Sequence, residues 1–230
     1  DAPTQPSGLQ STASNSKITF TWDASTDEEG GPITYNLRVG TTPGGSEVMS
    51  AMANVTTGQL VAPAMGNVQL NRSWTLNGIK AGTYYWSVQS IDGAFRESAF
   101  ATEQQLVLSA QSIAFAELAP VTANQTPFTL SASASSGLSV TFTSSNPSVA
   151  TINGNQVMIV SAGTTDITAR QPGNNSFAAA VPVTRILTVN KLDQFITFTA
   201  PATKTVGDAA FALSATASSA LPVQFATTSD

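Results

Sequence analysis

Apolar and polar residues alternate along most of the chain, whereas the 3.6-residue periodicity of a helix is hard to find. The clearest alternating sets are Ile18, Phe20 and Trp22; Tyr35, Leu37 and Val39; and Tyr84, Trp86 and Val88. Gly and Pro residues lie between these sets, as in Gly30-Gly31-Pro32. A period of two places successive side chains on opposite faces of a strand. Short strands at this spacing are typical of sandwiches, so we predict an all-β fold of tandem antiparallel β-sandwiches.

The alternation continues through residues 109–190, in short segments separated by turn residues. Asn153-Gly154 lies between two of these segments and predicts a tight hairpin, because both residues tolerate positive φ. Pro182 lacks a backbone N–H, so we expect it at a sheet edge or at the start of a strand.

Part of the chain is an internal repeat. QSIAF at 111–115 recurs as QFITF at 194–198, and FTLSASASSGLSVTF at 128–142 recurs as FALSATASSALPVQF at 211–225, both at an offset of 83 residues. Residues 149–189 of the first copy have no counterpart in the second copy. Half a sandwich would leave an apolar face in water. We therefore expect the chain to stop inside a domain, either as a fragment of a longer protein or because another chain supplies the remaining strands.

Three domains are predicted from these patterns: 1–108, 109–190 and 191–230, the last being the N-terminal part of an incomplete second repeat. The joints between them are short and are not Gly/Ser tethers, which favours a semi-rigid string of domains. An irregular stretch at 46–71 interrupts the first domain and predicts an insert or a long crossover. We expect its three methionines, Met49, Met52 and Met65, to fill gaps in the packing.

Composition excludes several kinds of chemistry. The chain has no histidine and no cysteine, which rules out a Ser-His-Asp triad, a cysteine nucleophile, a disulfide and a His/Cys zinc site. Nine basic and 14 acidic residues give a net charge of −5, so we expect no nucleic-acid partner. No apolar run approaches the roughly 18 residues that cross a bilayer, and we expect no membrane insertion.

Several features of the first domain together carry a family resemblance. They are Pro3, Pro6 and Leu9, a strand ending at Trp22, the segment 27–35, and AGTYYWSVQSID at 81–92. Residues 3–108 thereby resemble a fibronectin type III domain. The resemblance implies that Trp22 lies in the core and that Tyr84 is the corner tyrosine, whose hydroxyl bonds back to the main chain.

The second domain carries SSNPSVATI at 144–152 and VSAGTTDITA at 160–169, and is similar to bacterial Ig-like domains. With TYNLRVGTTPGG at 34–45, the combination resembles giant cell-surface proteins and adhesins of the Bacteroidota. Many of those are type IX secretion substrates that serve in cell adhesion or gliding motility. The resemblance implies a secreted, extracellular protein on the bacterial cell surface. Its implied partners are neighbouring domains of a longer polypeptide, a surface glycan or protein, and a secretion or anchoring machinery.

Few residues are candidates for a site. Phe95 and Phe100 lie in a loop before the last strand of the first domain and are our candidate ligand-binding residues; the alternative is that they plug the end of the sandwich. A carboxylate cluster that could bind Ca²⁺ is formed by Asp23, Asp27, Glu28 and Glu29. Its spacing does not match a calcium-binding loop, so we interpret it as a solvated connection. We predict no catalytic residue, no metal ligand and no cofactor.

The sequence therefore predicts a non-catalytic stalk segment that spaces a head domain from the cell. Two alternatives stay open. The first domain is a glycan- or protein-binding module acting through Phe95, Phe100 or the 46–71 stretch, or the chain is an accessory region of a secreted hydrolase.

Overall fold

The structure, a computed structural model, describes residues 1–227, and these residues form β-strands and loops arranged as antiparallel β-sandwiches in tandem. This confirms the predicted fold class. The described residues contain no helix that could span a membrane. We name three parts of the chain: the first unit (1–108), the second unit (109–190) and the third unit (191–227). The predicted domain 191–230 ends with Thr228, Ser229 and Asp230, which lie outside the described residues.

The first unit consists of two three-stranded antiparallel sheets. Its strands are β1 (Gln10–Ser14), β2 (Lys17–Thr21), β3 (Thr34–Gly40), β4 (Ser73–Asn77), β5 (Gly82–Ile91) and β6 (Gln104–Leu108). One sheet has the order β1-β2-β4 and the other the order β3-β5-β6. The alternating aromatic residues meet between the sheets: the ring centroids of Phe20 and Trp86 are 4.8 Å apart, and those of Trp22 and Tyr35 are 5.7 Å apart. Burial of these large rings contributes much of the apolar core.

Tyr84 closes a corner of this sandwich. Its side chain is buried, and its hydroxyl donates to the carbonyl oxygen of Lys80 at 3.0 Å. This is the main-chain tie that the resemblance implied for Tyr84. Trp22 and Trp86 are buried in the core as expected, and Trp74 packs against it while only partly buried.

The 46–71 stretch covers the outer face of the second sheet. Every residue of β3 is therefore buried, although the alternation predicts that only one face is. Polar side chains on that outer face form hydrogen bonds with one another and with the 46–71 stretch that lies over them. Asn36 Nδ2 donates to Gln89 Oε1 at 3.0 Å, and Gln89 Nε2 donates to the carbonyl oxygen of Gly58 at 2.6 Å. The first unit thus has a third, polar layer, in which the hydrogen bonds offset the cost of burying amide groups.

The same stretch also protects the free edge of β3. Asn67 takes the place of a neighbouring strand: its Oδ1 accepts from the Leu37 N–H at 2.9 Å, and its Nδ2 donates to the Leu37 carbonyl oxygen at 2.8 Å. An unpaired edge would otherwise template association with another chain. Met49 packs against the core, but Met52 and Met65 are exposed, so the gap-filling role predicted for them is wrong. Val68 and Met49 of this stretch reach the core, whereas Met52 and Met65 face water.

The second unit contains nine strands. They are β7 (Ile113–Phe115), β8 (Val121–Thr122), β9 (Phe128–Thr129), β10 (Ala132–Ala134), β11 (Thr141–Ser144), β12 (Ala150–Asn153), β13 (Gln156–Ile159), β14 (Gly163–Arg170) and β15 (Val183–Asn190). One layer has the order β11-β14-β15-β8, in which β15 and β8 are parallel. The other strands form the two-stranded sheet β10-β7 and the three-stranded sheet β12-β13-β9. Buried aliphatic side chains and the pair Phe115–Phe142 fill the interior.

Two local predictions for the second unit can be compared with the backbone. Asn153 pairs with Gln156, so the central residues of the hairpin turn are Gly154 and Asn155, one position later than predicted. Gly154 has φ +63° and takes the first central position, as glycine does in a type II′ turn. Pro182 directly precedes β15, where the missing N–H leaves no ladder bond unmade.

The third unit contains one two-stranded antiparallel sheet, β16 (Ile196–Phe198) and β17 (Ala215–Ala217). Phe198 pairs with Ala215, which is the register of Phe115 and Ala132 in the second unit. The repeated sequence thus forms the same strand pair twice.

Candidate functional site

The carboxylates at 23–29 do not converge on a common point. Within residues 1–227 no group of three or more His, Cys, Asp or Glu side chains is placed to hold a metal ion. Glu29 instead pairs with the Arg96 guanidinium and with the α-amino group of Asp1. Hydrogen bonds from Arg96 and then from that amino group lower the pKa of Glu29 to about 2. This side chain is therefore used in surface ion pairing.

Phe95 lies in a tight loop that is built on Asp92. The Asp92 carboxylate accepts from the backbone N–H groups of Ala94 and Arg96, both at 2.8 Å, and from Arg96 Nε at 2.9 Å. Burial raises the pKa of Asp92, but the backbone bonds from Arg96 and Ala94 and the guanidinium outweigh it and lower that pKa. The loop holds Phe95 at φ +61° with its ring exposed, a conformation that a bulky residue rarely adopts.

Phe100 has different surroundings from Phe95. Its ring is partly buried under the Arg38 guanidinium, whose central carbon lies 5.1 Å from the ring centroid. Arg38 also forms an ion pair with Glu103 at 2.8 Å, and Glu103 accepts from the backbone N–H of Gly44 at 2.9 Å. The two predicted phenylalanines are not paired with each other. Phe100 takes part in packing, and Phe95 is the one presented to solvent.

The 46–71 stretch presents a group of exposed apolar side chains. These residues are Val48, Met52, Val55, Val61, Met65 and Leu70. The sequence predicted packing roles for the methionines and kept the whole 46–71 stretch as an alternative binding region, but it did not identify these six exposed residues. No signal in the sequence distinguishes their exposed positions, because the stretch has no regular period from which a buried face could be read.

A junction between the first two units is formed by the loop 171–182, which connects β14 to β15. The N–H of Asn15 donates to the carbonyl oxygen of Pro172 at 2.7 Å, and the N–H of Ala13 donates to Asn175 Oδ1 at 2.6 Å. The joint residue Ser109 donates to the carbonyl oxygen of Ser176 at 2.8 Å and accepts from the N–H of Ala178 at 2.9 Å. The second unit is thereby bonded both to a strand pair of the first unit and to the joint itself.

Local residues give this loop its shape. Asn174 Oδ1 accepts from the N–H groups of Ser176 and Phe177 at 2.9 and 3.0 Å, which forms a turn within the loop. Gly173 has φ +78°, and a Cβ there would lie 2.3 Å from the carbonyl oxygen of Phe177. Glycine is therefore required at this position. Gln111 Nε2 anchors the loop from within the second unit by donating to Gln171 Oε1 and to the Ala178 carbonyl oxygen, both at 2.7 Å.

Apolar packing completes the junction. Ala178 belongs to the second unit in sequence but is buried in the core cluster of the first. The space left among Ala13, Ile79, Leu108 and Phe177 is about 10 Å³, which holds no more than one water molecule. The sequence predicted a short joint but not this docking, because no local pattern in the loop indicates what it packs against.

No family model and no curated protein matches this chain. Among solved structures, it is similar to the fibronectin(III)-like modules of Clostridium thermocellum CbhA, with 12% identity and a TM-score of 0.35 over 78% of this chain and 88% of that one. It is also similar to the chicken interferon gamma receptor alpha chain, with 11% identity and a TM-score of 0.34 over 81% and 98%. The chicken CNTN1 FN1-FN3 domains give 12% identity and a TM-score of 0.31 over 86% and 71%. At these TM-scores the likeness carries no functional argument, and the fold rests on the strand pairing.

Proposed function

We propose that this chain is a non-catalytic structural segment in the stalk of a large bacterial cell-surface protein, where it serves adhesion or gliding by spacing a head domain from the cell. The observation that supports the proposal most directly is the junction made by the loop 171–182. A spacer has to transmit position, and it does so only if consecutive units keep a defined orientation.

The junction contributes enough free energy to hold such an orientation. Two hydrogen bonds cross it, at Ala13 and Asn15, and two more fix the loop to Ser109, the first residue after the first unit. Each contributes on the order of 1 kcal/mol net. Packing of Ala178 into the neighbouring core adds apolar burial to these bonds. A short joint without these contacts would leave the two units free to turn about it.

Composition is compatible with a passive segment. Only 10% of residues are charged, and residues 109–190 contain no lysine, so a lysine-based isopeptide crosslink is excluded from the second unit. Resistance to pulling there depends on packing and strand hydrogen bonds. The bacterial cell surface and type IX secretion enter the proposal from the sequence resemblance.

Distance measurements between spin labels test the proposal. The chain has no native cysteine, so Ser73→Cys in the first unit and Asn155→Cys in the second accept one nitroxide each. We expect one narrow distance distribution. The double variant Asn175→Ala with Phe177→Ala, which removes a crossing bond and a packed ring, should broaden it severalfold.

A matched pair of exposed substitutions in the second unit, Thr143→Ala with Met158→Ala, serves as the control and should leave the distribution narrow. A broad distribution in the unaltered chain would show freely turning units and would overturn the stalk proposal.

A second candidate function is supported by the exposed Phe95 ring and the exposed apolar group of the 46–71 stretch. Exposed aromatic faces stack on sugar rings, so this candidate is a glycan-binding surface on the first unit. Binding to a panel of immobilised glycans tests it. Phe95→Ala should weaken binding at least tenfold, whereas Val107→Ala, at another exposed apolar position, should not. Equal binding by both variants would contradict it.

A further inference from the structure

A cleft lies beside the junction, between the β1–β2 turn of the first unit and the loop 171–182 of the second. Its volume is about 310 Å³, and pockets for small ligands begin at about 300 Å³. The polar residues that line it come from both units: Asn15 and Ser16 from the first, and Thr141, Arg170 and Gln171 from the second. Clefts between domains are frequent ligand sites, so this lining was compared with the ligands it could hold.

The β1–β2 turn contributes a strained polar residue to the cleft. Asn15 and Ser16 have φ values of +52° and +57°, as in a type I′ turn, where both central residues adopt the left-handed conformation. Glycine would adopt this conformation without strain. Serine supplies a hydroxyl instead, and this hydroxyl makes no hydrogen bond within residues 1–227. The turn therefore offers a free polar group at the lining.

Gln171 offers a second free group, and its side chain is already fixed in place. The residue is only 6% exposed. Its Oε1 accepts from Gln111 Nε2 at 2.7 Å and from the Gly173 N–H at 2.5 Å. Its Nε2 has no partner among the described residues and is not one of the fully enclosed atoms, so it is open to the cleft. A ligand can accept from this nitrogen with little loss of side-chain freedom.

The charge of the lining favours an anionic ligand. Arg170 is exposed and forms no ion pair in the part of the chain that the structure describes, whereas Arg185, the other basic residue of the second unit, pairs with Glu117 at 2.8 Å. No described Asp or Glu lines the cleft, although the chain has 14 acidic and nine basic residues. A guanidinium pairs with a carboxylate through two parallel hydrogen bonds.

We propose that this cleft binds a carboxylated sugar, either free or as one residue of an acidic polysaccharide. Arg170 pairs with the carboxylate, and Gln171 Nε2 and the Ser16 hydroxyl bond to the sugar hydroxyls. Pro172 and Pro182 supply apolar surface for the C–H face of the ring. A small inorganic anion would use only the arginine, whereas a sugar acid uses all of these groups.

The position of the cleft couples binding to the junction. Because the lining comes from both units, a bound sugar acid contacts both and stabilises their docked arrangement. The coupling is reciprocal, so weakening the junction lowers the affinity for the ligand. This inference requires docked units but does not depend on the stalk function. The cleft is also separate from Phe95 and from the 46–71 stretch, because none of their residues lines it.

An amide NMR titration of the full chain tests the proposal. The probes are glucuronate and a tetrasaccharide of uronic acids, with glucose as the neutral control and inorganic phosphate as the simple anion. We expect the uronates to shift the signals of Asn15, Ser16 and Gln171 in a saturable way. Arg170→Gln should weaken binding about tenfold. Arg72→Gln, at an exposed arginine of the first unit, should leave the affinity unchanged.

Two further variants test whether both units hold the ligand. Ser16→Gly removes the hydroxyl and relieves the turn, so it should weaken binding severalfold without loss of stability. The double variant Asn175→Ala with Phe177→Ala loosens the junction and should also weaken binding severalfold. Added uronate should then narrow the spin-label distance distribution of the double variant.

The outcomes that overturn the proposal are distinct. Absence of saturable shifts with both uronates, or full affinity in Arg170→Gln, would show that the cleft is not the site. Glucose or phosphate binding as tightly as glucuronate would contradict the assignment to a sugar acid. Unchanged affinity in both Ser16→Gly and the double variant would show that the ligand does not bridge the two units.

Discussion

The second and third units differ in burial rather than in local structure. Both form the same strand pair in the same register, with the same serine-capped turn and the same tilted pair of phenylalanines. Among residues 1–227, strands that cover this half-sheet are present in the second unit. The comparison teaches that strand pairing is encoded within the repeated residues, whereas a core needs partners that lie far along the chain.

The largest expected effect comes from truncating the equivalent phenylalanines. Phe115→Ala removes a buried ring and should lower the free energy of unfolding of the second unit by about 3–5 kcal/mol. Phe198→Ala should change stability by less than about 0.5 kcal/mol, because its ring is already in water. Urea unfolding followed by amide exchange at 128–134 and 211–217 separates the two units. Equal losses would show that the third unit has a core of its own.

The equivalent glutamines should show a smaller contrast. Gln111→Ala removes the side-chain donor to the Ala178 carbonyl oxygen and leaves Gln171 Oε1 with the Gly173 N–H as its remaining donor, which should cost about 1–3 kcal/mol. Gln194→Ala removes only the exposed bond from the Ser219 hydroxyl and should be nearly neutral. The same urea experiment measures both. A neutral Gln111→Ala would mean that the loop 171–182 does not depend on this anchor.

Substitutions in the turn that follows β10 and in the equivalent turn that follows β17 should have still smaller effects on stability. The two effects should have opposite signs. Gly137 has φ +75°, and its counterpart Ala220 has φ +58°. The left-handed conformation costs a residue with a Cβ roughly 1 kcal/mol. Gly137→Ala should therefore destabilise the second unit by about that amount, and Ala220→Gly should slow exchange at Ala217 in the third. Faster exchange in Ala220→Gly would contradict this account of the turn.

The smallest expected effect is the loss of stability of the first unit in acid. Because the first unit is not part of the repeat, it serves as a reference for the other two units. Glu29 and Asp92 have lowered pKa values, so the stability they contribute is present above about pH 4.5 and is lost as the pH falls toward 2. Arg96→Gln removes the guanidinium that pairs with both carboxylates and should reduce this loss, while the backbone bonds to Asp92 and the Asp1 amino group at Glu29 remain. Tryptophan fluorescence reports it selectively, because Trp22, Trp74 and Trp86 all lie in the first unit.

Urea midpoints at pH 5 and pH 2.5 give the measurement for this titration. Arg72→Gln removes an exposed arginine elsewhere and should keep the unaltered pH dependence. Identical pH dependence in Arg96→Gln and the unaltered chain would show that surface screening removes the effect.

Much of the architecture could be predicted from alternation. Phe20, Trp86 and Leu37 were placed inside correctly, since a period of two distinguishes the faces of a strand. The same rule predicts that Asn36 and Arg38, which alternate with Tyr35, Leu37 and Val39, face solvent, but both are buried. Alternation reports on one sheet at a time, and it cannot show that 46–71 returns to cover the outer face.

The candidate site was less accessible to prediction. Phe95 and Phe100 looked equivalent as loop phenylalanines, but a loop built on Asp92 exposes Phe95, and the Arg38 guanidinium covers Phe100. Whether either binds a ligand stays a prediction. The junction loop had no sequence signal, because its partners Ala13 and Asn15 are more than 150 residues away along the chain.

By itself, the sequence determined the all-β class, the inward aromatic residues and the repeat with its strand pair, because these depend on side-chain alternation and on contacts within short segments. The tertiary structure alone decided which faces are covered. It buried β3 on both sides and docked the loop 171–182 on the first unit. Coverage depends on where distant segments return, and no local pattern encodes that return.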